Sequence, residues 1–257
     1  MSNIIKCDFY RFSRNKLFYG IAAFIALIAF ALTMVIRQDI NIGISVFGDL
    51  TAFRGIDDIA RIGIQYNNGL GIFIAILLSV FIGQEYQWKT WQHKWITNKS
   101  RAGIYLSKVV FSSIGSVIIF FVYEITTLLS SNQVQVMLTG NYTAMIICGA
   151  FIYAALGAVI CLLSMLIKNN TAEVIVCLCY VLFSETLASV LSNIGNFSDT
   201  VGRIVGFGVK HSIYGMSVLV SSTGFLPEFT AVIAINSLAI IILATMFGLM
   251  MFRRYEL

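Results

Sequence analysis

Proline is almost absent: Pro227 is the single example in 257 residues. Charge is scarce as well, with 11% of residues charged, and histidine occurs only as His93 and His211. These shortages exclude whole classes of protein. A soluble core has no use for 58% hydrophobic residues at a mean hydropathy of +0.87, so the chain is an integral membrane protein. One Pro against 20 Gly favours long helices, and without recurring ten-residue alternating segments a transmembrane barrel is not expected. No G-x-x-x-x-G-K-[ST] sequence is present, so no P-loop binds ATP within the chain. There is no H-E-x-x-H and no Ser/His/Asp set. We therefore expect no catalytic constellation, no metal site and no cofactor bound by this chain. Cys148, Cys161, Cys177 and Cys179 fall in apolar runs and Cys7 in a basic segment; all five read as small core residues rather than disulfide partners.

What the sequence does have is long apolar runs. A bilayer core needs about 20 apolar residues as a helix. Six runs answer to this, at 18–36, 62–83, 109–130, 143–167, 172–194 and 230–252, all within a single transmembrane domain spanning 1–257. The apolar part of the second begins only at Leu70, so it must start earlier, near residue 62, to cross. The first has a basic lead, but its run of about 19 residues exceeds a signal-peptide core, and it reads as a retained span.

Lysine and arginine then orient the chain. Lys6, Arg11, Arg14, Lys16, Lys89, Lys94, Lys99, Arg101, Lys108, Lys168, Arg253 and Arg254 share one side if there are six spans. Most of the acids outside the spans take the other side. Both termini are therefore expected in the cytoplasm, in a multi-pass protein of the cell membrane. The net charge of +5 reflects this placement and not nucleic-acid binding. In the same topology the two histidines lie on opposite faces of the membrane.

Segments outside the spans carry their own patterns. In residues 1–17, Ile5, Phe9 and Phe12 fall at i, i+4 and i+7 between Lys6, Arg11 and Arg14, which predicts an amphipathic helix lying on the inner surface. Leu50, Phe53, Ile56 and Ile59 recur every three residues and predict a short outer amphipathic helix. Residues 195–229 are too apolar for a solvated loop yet contain Arg203, Lys210 and His211. A re-entrant pair of short helices fits, and these three residues are candidates for an outer gate. Ala150, Ala154 and Ala158, with Gly157 beside them, predict a close helix-packing face.

Glu124 and Glu185 lie inside apolar runs, where an acid costs about 2.5–3.5 kcal/mol on insertion scales. Each is a candidate for a translocation path or a proton site, or else for a helix-to-helix hydrogen bond. Glu173 opens the fifth run, where it complements the helix dipole; it is a third path candidate.

All three tryptophans, Trp88, Trp91 and Trp95, stand in one basic segment after the second span. On a helix over 85–98 they form a stripe at i, i+3 and i+7, with Lys89, His93 and Lys94 off it. An aromatic belt accounts for the composition. A separate cytosolic helix, anchored by its rings and presenting its polar side to a partner, accounts also for the length of the segment.

These residues resemble the membrane subunit of type-2 ATP-binding-cassette exporters of bacteria. The resemblance rests on the basic start "CDFYRFSRNKLFYG" and on "GQEYQWKTW", where Glu85 and Thr90 match the family's glutamate and Gly-Thr pair while Lys89 replaces the usual glycine. It rests further on Ser100–Arg101 and Lys108, and on the six-span count with an apolar segment before the last span. The proline that commonly precedes that Ser-Arg is absent. The resemblance covers essentially the whole chain and is greatest to small peptide exporters of Gram-positive bacteria, such as phenol-soluble modulin exporters and bacteriocin or bacitracin immunity permeases. It implies an all-α membrane fold in which 85–98 is a coupling helix, with Glu85, Trp88, Lys89, Thr90, Trp91, Lys94, Trp95 and Arg101 meeting an ATPase subunit. It implies two such ATPase subunits, which carry the ATP and Mg, and a second permease chain, giving a homodimer. The expected cargo is an amphipathic peptide. The alternatives are the same machine exporting a lipid or small amphiphilic drug, or a proton-coupled secondary transporter using Glu124 and Glu185.

Overall fold

The structure is a computed structural model. It describes residues 2–38, 42–46, 49–53, 56–88, 90, 100–132, 140–167, 169–195, 199–222 and 227–254. Among these, eleven α-helices account for nearly all the order: α1 (Ser2–Ser13), α2 (Lys16–Ile36), α3 (Ile56–Ile64), α4 (Leu70–Gln87), α5 (Arg101–Ser130), α6 (Gly140–Leu166), α7 (Asn170–Leu182), α8 (Ser184–Gly195), α9 (Asp199–His211), α10 (Ile213–Ser221) and α11 (Thr230–Arg254). Five of them are long and apolar enough to cross a membrane. Two bent pairs, α7 with α8 at 52° and α9 with α10 at 70°, bring the candidate spans to as many as seven.

Local sequence starts several of these helices. Asn15 accepts a hydrogen bond from Leu17 N, Ser100 from Gly103 N, Asn169 from Thr171 N and Ser212 from Gly215 N, each as an N-cap. Gly69 joins the 3₁₀ turn Tyr66–Asn68 to α4 at φ 137°, a conformation that side-chain-bearing residues rarely adopt.

Helix α4 is the most buried of the long helices, whereas α2 and α11 leave Phe24, Leu27, Phe30, Ile235, Leu243 and Met250 exposed for lipid. The face of α6 that meets α5 is built on glycine. A Cβ on Gly157 would lie 2.5 Å from both Ser112 O and Ser116 Oγ, and one on Gly149 would strike the Phe120 ring. Ser116 Oγ donates to Tyr153 O at 2.6 Å across this seam. Of the expected alanine row, Ala158 is buried while Ala150 and Ala154 are half-buried, so the close approach falls on the glycines instead.

Several expected boundaries differ. Leu50 and Phe53 do not continue the helix of Ile56 and Ile59; they lie in a strand, Asp49–Phe53, paired antiparallel with Ile42–Val46, and the helix is confined to Ile56–Ile64. The second span does not start near 62, because the turn at 66–68 and Gly69 break the helix before Leu70, and α4 extends to Gln87 instead. Helix α5 starts at Arg101, so Lys108 lies two turns inside a helix and not in a loop. The fifth run, expected to be continuous over 172–194, bends after Leu182.

Candidate functional site

The strongest polar constellation lies where α1 packs against the C-terminal end of α4 and the first turns of α5. Helix α1 buries Ile4, Asp8 and Phe12, leaving Ile5 and Phe9 exposed. The expected apolar face of Ile5, Phe9 and Phe12 is thus rotated, because an acid occupies the middle of the stripe that turns inward. Phe12 fixes that orientation by meeting the Phe81 ring edge-to-face at 5.5 Å and the Phe18 ring at a 51° tilt at 4.7 Å.

Asp8 meets Lys108, whose Nζ is 2.9 Å from Asp8 Oδ1 and 2.6 Å from Glu85 Oε1. Ser107 Oγ donates to Asp8 Oδ2 at 2.6 Å. Arg11 closes the cluster with a salt bridge to Glu85 and a hydrogen bond to Phe81 O. Both cations also lie over the Phe81 ring, Arg11 at 4.5 Å and Lys108 at 4.9 Å from its centroid. Asp8, Glu85 and Lys108 are all buried to within 1%. Among the described residues, two acids and two bases meet in the knot and their charges balance, the condition under which charge tolerates burial. It ties three helices at one point, directly at the exit of α4 into the segment that leads to α5.

Of the residues expected to couple, Glu85 sits in this knot and Thr90 donates its hydroxyl to Glu85 O at 3.3 Å. Trp88, 62% exposed, caps α4 outside the knot, and Arg101 opens α5 half-buried. Lys89, Trp91, Lys94 and Trp95 lie outside the described residues, as does most of the 85–98 segment.

The three membrane acids occupy separate environments. Glu124 is buried, accepts a hydrogen bond from Tyr142 at 3.0 Å and faces Gly63 of α3. Two nearby tyrosines bind the same helix: Tyr123 donates to Ile59 O at 2.9 Å and Tyr153 to Gly63 O at 2.7 Å. Glu185 stands half-buried just past the α7–α8 bend and accepts from Asn67 Nδ2 at 3.0 Å. Glu173 is buried in the first turn of α7 against Gly83. The part of α4 between Leu70 and Gly83 is about 20 Å long at 1.5 Å per residue, so Glu173 and the Asn67–Glu185 pair lie toward opposite ends of that helix.

Arg203 and Lys210 are exposed on α9, and His211 stacks on Phe207 at 3.9 Å between centroids. The structure does not gather these three into one cluster. Helix α10 is held instead from α3 and the residue that follows it: Arg61 donates to Ser222 O at 2.5 Å and Gln65 to Ser221 Oγ at 2.6 Å. Between the two bent pairs lies a cavity of about 340 Å³, lined by Tyr66, Tyr180, Phe183, Leu187, Val209 and Tyr214 among others. Its walls are apolar with a few hydroxyls, the character of a site for an amphiphile. Phe183 and Leu187 are also exposed, so the cavity wall adjoins the lipid-facing surface.

Sequence reasoning missed Asp8, Arg11, Asn67 and Tyr142 as site residues. Asp8 had a readable signal: it is the sole acid in the first 38 residues, set one turn from Ile4 and from Phe12. Glu85 is likewise the sole acid between Asp58 and Glu124.

A family model described as "ABC-2 family transporter protein" matches residues 4–184, a stretch that holds the entire charge knot and all three membrane acids but Glu185. A search of curated proteins gave no match. The chain belongs to the ABC-2 transporter family: it is a multi-pass membrane permease of the ABC type, the kind of subunit that works with an ATPase partner.

Proposed function

We propose, starting from that membership, that the chain is the permease subunit of an ATP-driven exporter that moves amphipathic peptides out of the cytoplasm or its inner leaflet. Two copies of a separate ATPase subunit would supply the energy, and a second permease chain would complete the path. The observation that carries this reading is the buried knot of Asp8, Arg11, Glu85 and Lys108. Helix α4 ends at Gln87, two residues past Glu85, and the chain re-enters the bundle on α5 at Arg101, seven residues before Lys108. A push on the 85–98 segment by an ATPase would reach α1, α4 and α5 together, because a neutral buried ion cluster resists being pulled apart. Force would then pass along α4, whose packing against α5, α6 and α7 runs the length of the bundle.

The amphiphilic cargo is supported by the cavity at the bent helices, whose apolar wall and tyrosine hydroxyls suit an apolar side of a peptide better than a soluble solute. Because that wall adjoins the lipid-facing surface, a lipid or small amphiphile is the second reading. Competition between peptide and lipid for stimulation of ATP hydrolysis separates the two.

Co-purification with an ATPase subunit and cargo-stimulated ATP hydrolysis test the machine. Trp91→Ala combined with Trp95→Ala is expected to abolish stimulation while the permease still folds. Intact assembly and stimulation in that variant would refute the coupling role of 85–98.

A further inference from the structure

Glu173 is fully buried, and neither of its carboxylate oxygens has a hydrogen-bond partner among the described residues. Asn170, at the start of the same helix, contributes a third buried acceptor without a partner, its Oδ1. Both side chains press on one glycine of the facing helix. A Cβ on Gly83 would collide with Asn170 Oδ1 and Glu173 Oε2 before any other atom. The seam between α4 and α7 therefore encloses a group of oxygen acceptors for which no described residue places a donor at hydrogen-bond distance.

Among the described residues the remaining neighbours supply no charged donor, and the hydroxyl that faces the carboxyl is that of Ser164. From α6 come the Cys161 thiol and the Ser164 hydroxyl, the latter 3.5 Å from Cys177 Sγ of α7. Lys108 of α5 lies beyond Cys161, and its ammonium is engaged by Asp8 and Glu85. On α4 the charged residue next to Gly83 in sequence is Glu85, which belongs to that same knot.

An isolated carboxylate taken out of water is so costly that the group takes up a neutralising partner instead. An alkali cation would need a larger oxygen cage and would sit against the positive end of α7. A proton needs neither. The acid O–H would donate to Asn170 Oδ1, and Asn170 Nδ2 already donates to Gln87 Oε1 at 3.2 Å, on the exposed last residue of α4. Acid, amide and amide thus form a line from the buried seam to the surface.

We propose that Glu173 is a buried proton-binding site that latches α4 to α7 by donating its acid O–H to Asn170 Oδ1, and that it exchanges with solvent when the seam beside Gln87 opens. The proton comes from water and stays while Gly83 covers the carboxyl. It returns to water when the two helices part. Glu173, Asn170 and Gly83 lie outside the cavity lining and outside residues 85–98, so the latch can stand or fall apart from the exporter reading.

The test is infrared difference spectroscopy on the full chain in lipid nanodiscs, together with thermal unfolding across pH. At neutral pH the wild type is expected to show the carbonyl stretch of a neutral carboxylic acid that shifts in heavy water. Glu173→Gln loses that band and Glu124→Gln keeps it. Glu173→Gln, the closest neutral mimic, folds and holds its thermal midpoint into alkali, whereas the wild-type midpoint falls as the rising pH forces a charge into the seam. Asn170→Leu removes the acceptor and is expected to shift the band without abolishing it. A band indifferent to Glu173→Gln, or a Glu173→Gln chain that fails to fold, overturns the proposal. A wild-type midpoint raised by one alkali ion at constant pH and ionic strength assigns that ion to the site in place of the proton and overturns it equally. A band unmoved by Asn170→Leu shows that the acid does not donate to Asn170 and overturns the latch.

Discussion

Lys108→Met is the most informative single change in this protein. The lysine is completely buried, with carboxylate oxygens at 2.9 Å and 2.6 Å. Methionine has nearly the same length and fills the same volume, so packing changes little. The electrostatics do not survive: among the described residues of the knot, two carboxylates, Asp8 and Glu85, are left with the guanidinium of Arg11. Removing one member of a buried ion cluster costs about 3–5 kcal/mol, roughly a hundred- to several-thousand-fold in the ratio of folded to unfolded chain. Adding Asp8→Asn to Lys108→Met restores the charge balance among these described residues, with Arg11 against Glu85, and should recover much of the loss. A double-mutant cycle measured by thermal unfolding in nanodiscs reads the coupling directly. The same variants separate stability from transmission. The neutralised double variant is expected to fold and bind the ATPase subunit while losing part of the cargo-stimulated hydrolysis, since α1 is no longer tied to α5. If Lys108→Met alone unfolds at the wild-type temperature, or if the double variant is no more stable than the single one, the knot does not do what its geometry implies.

Two further outcomes follow from packing. Gly157→Val should destabilise the chain by about 1–3 kcal/mol through overpacking, because the added atoms meet the α5 backbone at Ser112 O, which has no rotamer to yield; the thermal midpoint reads this, and an unchanged midpoint would show that α5 and α6 are not in close contact. Leu187→Trp fills the cavity at the bent helices from an exposed wall; it should reduce cargo stimulation of ATP hydrolysis while leaving the basal rate and the ATPase complex intact, and unaltered stimulation would place the cargo elsewhere.

The class of this protein was legible in its residues because membrane insertion is governed by quantities that add along the chain. Hydropathy summed over a window found the runs that became α2, α4, α5, α6 and α11. The spacing of Glu85, Thr90, Ser100–Arg101 and Lys108 pointed to the family. Boundaries were less legible, since they depend on single backbone events: Gly69 at positive φ stops α4 short of the expected start, and the fifth run bends after Leu182 although its hydropathy is continuous. The charge pattern of α1 gave an amphipathic helix but the wrong inward face. A periodicity count scores Asp8 as polar and turns it outward, whereas Lys108, a hundred residues away, makes it the most buried polar group of the helix.

The sequence by itself therefore determined that this is a helical membrane permease with a basic, tryptophan-rich segment between two spans, because apolar length and charge placement are local sums. Only the tertiary structure decided which acids are neutralised and by what. It set Asp8 and Glu85 around Lys108, gave Glu124 a tyrosine, gave Glu185 an asparagine, and left Glu173 against a glycine with no described donor at hydrogen-bond distance. Those outcomes depend on which helices touch and at what rotation, and the energy of a buried charge is fixed by its neighbours in space rather than its neighbours in the chain.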